Sequence, residues 1–108
     1  MKKKLITIER EENTESFRVD KLVLRLFVTG ASPNSSRAIS NLRNICESNI
    51  PGGYTLEIID VYKSIDIARD EGLVALPLLI KKYPLPERRM IGDMSDIGKV
   101  LSGLGITL

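Results

Sequence analysis

The chain is short of the residues most often used for chemistry. It has no histidine and one cysteine, Cys46. A single cysteine excludes an intramolecular disulfide, and such usage fits a reducing compartment. With one thiol and no imidazole, a zinc site is not expected, nor is a Ser-His-Asp or Cys-His catalytic group. Long apolar runs are missing too: nothing nears the roughly 18–20 residues of a membrane span. The opening MKKKLITIEREENTES has the lysines of a signal peptide but not its apolar segment of about 7–15 residues. Excess charge of one sign is also absent, since 16 Lys+Arg against 14 Asp+Glu leave only +2. The expected protein is therefore soluble and cytoplasmic. It is expected to have no cofactor, no membrane partner and no nucleic-acid partner.

What is present is ordinary globular material. The 108 residues are 43% hydrophobic and 28% charged, enough for one domain with a modest core. Residues 1–18 read as a polar N-terminal arm, in which Glu9, Glu11, Glu12 and Glu15 offset the lysines. Residues 19–108 read as the folded domain. Lys21–Thr29, KLVLRLFVT, is a nearly unbroken apolar run, as in a central strand buried on both faces. Arg25 interrupts it and needs solvent or a partner carboxylate. A helix follows from Ser32-Pro33-Asn34, with Ser32 or Asn34 as cap and Pro33 in the first turn. Its apolar stripe is Ala38, Ile39, Leu42, Ile45 and Cys46, which makes Cys46 a buried small hydrophobe rather than a reactive thiol.

Pro51–Thr55 is a turn, and Leu56–Val61 reads as a second inner strand, parallel to the first across a βαβ crossover. Ser64–Gly72 is a short helix, capped by Ser64 and closed by Gly72. Pro77 heads a strand at Leu78–Ile80, and the bond before it is a candidate for cis. Pro84 and Pro86 make KYPLPE a connector, RRMIG is a short strand, and a last helix follows a cap at Asp93 or Ser95. Gly103 and Gly105 weaken that helix by about 1 kcal/mol each relative to alanine. The predicted order is β-α-β-α-β-β-α, an α/β domain with a four-stranded mixed sheet.

The strand-to-helix junction, GASPNSSRA, sits where a thioredoxin-type redox enzyme places its paired cysteines, yet it holds none. The element order resembles a thioredoxin fold, and the residues are more specific. Gly30, Pro33-Asn34-Ser35, Arg37-Ala38, Ile59-Asp60-Val61, Ala75-x-Pro77, Pro84-x-Pro86, Arg88-Arg89, Ile91-Gly92-Asp93, Lys99-Val100-Leu101 and Gly103-Leu104 resemble the KaiB family of bacterial clock proteins. The resemblance spans roughly Leu22 to Ile106. Glu57 and Gly72 stand where the family carries lysines, whereas Lys81 matches, so the chain reads as a divergent member.

The resemblance implies a non-enzymatic adaptor that docks on a KaiC-like, RecA-type ATPase in clock or stress-type signalling. It also implies the alternative of a sensor module acting on a histidine kinase. It implies a homo-oligomer, dimer or tetramer, and two arrangements of the second half: a thioredoxin-like binding form and a tetrameric resting form. Pro77, Pro84 and Pro86, whose isomerisation is slow, are candidate conformational residues, with Gly92, Asp93 and Gly103. Arg37 is a candidate docking residue on the polar side of the first helix. Lys81 and Lys82 end one strand, and Arg88 and Arg89 open the next. The four are expected to gather at a hairpin, ready for an acidic partner patch, or simply to guard an edge strand against self-pairing.

Overall fold

A computed structural model describes residues 21–73 and 75–106. The arm assigned to residues 1–18 lies outside the described residues. The elements are β1 (Leu22–Val28), α1 (Pro33–Asn49), β2 (Tyr54–Asp60), α2 (Ile65–Glu71), β3 (Leu78–Tyr83), β4 (Arg88–Ile91) and α3 (Ile97–Leu104), in the expected order. They form a four-stranded sheet in the order β2-β1-β3-β4. β1 runs parallel to β2 and antiparallel to β3, and β3 is antiparallel to β4, so the sheet is mixed.

The apolar run of β1 serves two cores because successive strand residues face opposite sides. Leu24, Leu26 and Val28 join Leu79 and Met90 under α1 and α3, where Ala38, Leu42, Ile45, Cys46, Val100, Leu101 and Leu104 complete the larger core. Phe27 points the other way, with Ile59, Leu78 and Ile80. Among the described residues, that smaller core is flanked by partly buried Val61, Ile67, Leu73 and Leu76 on the α2 side.

The inner position expected for the second strand does not hold. β2 is an edge, and of its residues only Ile59 is fully buried. Its apolar residues lie on both faces, but neither face is fully covered at the edge.

Capping matches the sequence reading at α1 and departs from it at α2 and α3. The Ser32 hydroxyl accepts from the Ser35 amide at 3.2 Å, with Pro33 in the first turn. Ser64 occupies the N-cap position of α2 but makes no side-chain cap bond, because its backbone takes another conformation (φ −131°, ψ 58°). Gly72 closes α2 in the left-handed region, as expected. α3 is capped by Asp96, which accepts from Lys99 N at 3.1 Å, and not by Asp93 or Ser95. Asp93 is used one turn earlier: its Oδ1 accepts from Ser95 N at 3.1 Å.

Two glycines in α3 differ in role. Gly105 is the left-handed C-cap at φ 78°, so it ends the helix rather than weakening its interior. Gly103 lies against Met90, whose sulfur occupies the space a Cβ would need. The Leu76–Pro77 bond is cis, in line with the sequence reading, as are Tyr83–Pro84 and Leu85–Pro86.

Candidate functional site

The junction between β1 and α1 carries hydroxyls in place of thiols. Ser32 Oγ donates to Ser35 Oγ at 2.8 Å, and Ser35 Oγ accepts from Thr29 N at 3.0 Å. Ser35 is fully buried. These bonds cap a helix and tie it to the strand before it; none involves a thiol. Cys46 is buried within α1, and burial, then the Glu47 charge, pushes its thiol up to about 11. It stays protonated at neutral pH, when only a thiolate would react.

The β3–β4 hairpin brings Lys81, Lys82, Arg88 and Arg89 together in chain position, but the pleat divides them. Lys81 pairs with Arg88 and with Leu24, on the α1/α3 face. Arg89 pairs with Ile80, on the α2 face, and Lys82 shares that face by alternation. The single basic cluster expected from the sequence is therefore two pairs on opposite faces. Lys81 is 5% exposed, so its side chain is covered rather than presented. Arg88 is exposed and has no ion pair among the described residues.

On the α2 face the cations are neutralised. Glu71, the last residue of α2, accepts from Lys82 Nζ at 3.0 Å, Arg25 Nη1 at 3.3 Å and Arg89 Nη2 at 3.3 Å. Its backbone carbonyl takes a further bond from Arg89 Nη2 at 2.8 Å. Glu57 pairs with Arg25 at 3.1 Å, and Glu87 pairs with Lys82 at 3.3 Å and Arg89 at 3.6 Å. Three cations thus meet three carboxylates, and the carboxylate that Arg25 needed is found twice. Glu71 is only 12% exposed.

The bond from Lys82 holds the Glu71 carboxyl below its ordinary value, helped by the charges of Lys82, Arg89 and Arg25 against the opposing effect of burial. The same bond raises Lys82. The signs give a pH window. The lowered Glu71 contributes stability that is full above its unfolded value of 4.5 and is lost as pH falls through the folded one. The raised Lys82 contributes stability that is full below 10.5 and is lost as pH rises through its folded value. Urea midpoints measured across pH should form a plateau that falls at both ends, and Glu71→Gln should flatten the acid limb.

A second cluster joins α1 to the segment after β4. Arg37 Nε donates to Asp93 Oδ2 at 3.2 Å, and Arg37 Nη2 donates to the side-chain Oδ1 of Asn34. Asn41 Nδ2 donates to the Asp93 carbonyl at 2.9 Å. Gly92, at φ 116°, and Met94, at φ 63°, shape this turn. Arg37 is therefore partnered, and Asp93 anchors the turn before α3.

Sequence reasoning missed Glu57, Glu71 and Glu87. Glu87 was legible, since it sits beside Arg88-Arg89 in the connector. Glu71 lies 46 residues from Arg25 and only the sheet order brings them together.

Comparison with known proteins adds three findings. The KaiB domain profile matches residues 25–106. The chain is 48% identical over 84 residues to the circadian clock oscillator protein KaiB of Synechococcus elongatus, covering 78% of this chain and 82% of that one. It is 49% identical over 84 residues to the protein of the same description from Prochlorococcus marinus, with 78% of each covered. Among solved structures, the N-terminal domain of Synechococcus elongatus SasA matches with a TM-score of 0.67 at 20% identity, over 89% of this chain and 94% of that one. Mitochondrial thioredoxin 3 from Saccharomyces cerevisiae matches at 0.63 and 17% identity, over 80% and 78%. The thioredoxin-like arrangement is the one this chain adopts, of the two expected for its second half.

Proposed function

This chain belongs to the KaiB family, and from that premise we propose that it is a non-catalytic regulatory adaptor that docks on a KaiC-like, RecA-type ATPase. The observation that carries the reading is the family match across residues 25–106, with relatives that are circadian clock oscillator proteins. The hydroxyl-lined junction and the buried, protonated Cys46 support a role without thiol chemistry.

Arg37, Lys81, Lys82, Arg88 and Arg89 are the proposed docking cations. Arg88 leads them, because Lys82 and Arg89 are matched by Glu71 and Glu87, Arg37 by Asp93, and Lys81 is covered. Pro77, Pro84, Pro86, Gly92, Asp93 and Gly103 are the proposed conformational positions of the second half, with a dimer or tetramer as its resting form. The close fit of Gly103 to Met90 and the left-handed turn at Gly92 support this, as places where one packing depends on one residue.

The test is co-elution of the purified chain with a KaiC-like ATPase of its own organism, in ATP and in ADP. A complex is expected, and Arg88→Glu should weaken it on the order of tenfold by reversing a charge that has no ion pair among the described residues. Absence of a complex in every nucleotide state removes the reading. Capture of a histidine kinase in its place supports the sensor-module alternative.

A further inference from the structure

The three helices are attached in two different ways. α1 buries Ser35, Ala38, Leu42, Ile45 and Cys46, and α3 buries Val100, Leu101 and Leu104. α2 buries none of its seven residues, and its N-cap Ser64 makes no side-chain bond. Its strongest ties are polar and sit at its last residue. The Glu71 carboxylate meets Arg25 from β1, Lys82 from β3 and Arg89 from β4, and Arg89 also holds the Glu71 carbonyl. Charge-assisted bonds of this kind are roughly twice as strong as neutral ones. Beneath α2 lies the smaller core of Phe27, Ile59, Leu78 and Ile80, and the side chains covering it are only partly buried.

We propose that α2 is a lid over the smaller core, held shut by the Glu71 carboxylate as a latch on Arg25, Lys82 and Arg89. Opening breaks the Glu71 contacts and leaves α1, α3 and the larger core in place on the other face of the sheet. The remaining groups around the latch favour such an opening. Glu57 stays on Arg25, and Glu87 stays on Lys82 and Arg89, so all three cations keep a partner when Glu71 leaves. The Asp66–Arg69 pair lies within α2 and travels with it. The open form presents an apolar floor bordered by three cations. Segments with few buried apolar contacts are those that open locally, below the free energy of global unfolding.

Native-state hydrogen exchange on the full chain tests this residue by residue. In the wild type, the amides of Ala68 and Gly72, bonded to Ser64 O and Arg69 O, should exchange faster than the buried turns of α1. Glu71→Gln should speed exchange in α2 roughly tenfold or more while α1 is unchanged. Arg37→Gln, which breaks an ion pair on the opposite face, should leave α2 as it is. Lys82→Gln removes one of the three contacts and should give a smaller acceleration; it serves as the readout if the Glu71 variant does not fold. Unchanged α2 exchange in Glu71→Gln, or in Lys82→Gln where that is the readout, overturns the latch. Equal acceleration of α1 and α2 overturns the lid, because the contacts would then support the whole domain.

Discussion

Replacing Phe27 with alanine is expected to destabilise the domain by about 3–5 kcal/mol, the range for truncating a fully buried aromatic. Phe27 is 0% exposed and is the largest fully buried side chain among the described residues. It sits on the central strand, paired with Ile59 on one side and Leu78 on the other. Among the described residues its core has three other buried members, so little material is at hand to collapse into the void. Against a typical total of about 5–15 kcal/mol, such a loss removes a large share of the stability and brings a domain at the low end of that range to its folding midpoint. Urea unfolding checks the value. A loss below about 1 kcal/mol would mean that the smaller core is packed loosely even with Phe27 present.

The second large effect concerns the junction. A chain carrying Ser32→Cys and Ser35→Cys together is expected to gain a dithiol–disulfide activity at the junction. The two hydroxyl oxygens already lie 2.8 Å apart, at the start of a helix. A thiol at a helix N-terminus has a depressed pKa and is a better nucleophile at neutral pH. Position 32, partly exposed, would attack, and the buried position 35 would resolve. In each turnover the dithiol becomes a disulfide while an oxidised small disulfide becomes two thiols, and dithiothreitol restores the dithiol. Turnover of oxidised glutathione with dithiothreitol is the assay, with each single variant inactive. A double variant that forms no internal disulfide would show that the junction differs from a redox site in backbone as well as in side chains. The exchange also removes the Ser32 cap, worth about 1 kcal/mol.

Much of the fold was legible because local signals agreed with the tertiary answer. Apart from Arg25, the run Leu22–Val28 is apolar at both parities, as fits a central strand. The α1 stripe repeats at helical spacing, and Ser32-Pro33 start it cleanly. The edge position of β2 was not legible, since its alternation is partial and strand order is a long-range property. The α3 cap shifted from Asp93 or Ser95 to Asp96 because three polar residues compete there, and Arg37 and Asn41, more than 50 residues away, engage Asp93. The basic hairpin shows the limit most clearly. Composition counts four cations, while the pleat divides them and two carboxylates, distant Glu71 and neighbouring Glu87, cancel the charge of Lys82 and Arg89.

That cancellation has a kinetic consequence. Long-range attraction between proteins acts through net charge over about a Debye length, roughly 8–10 Å in physiological salt. Arg25, Lys82 and Arg89 balanced by Glu57, Glu71 and Glu87 present no net field at that range. These six groups therefore add little long-range pull on an approaching partner, and their own part in the encounter rate should be nearly indifferent to ionic strength. Arg88, on the opposite face, has no ion pair among the described residues, so its charge is left to act at that range.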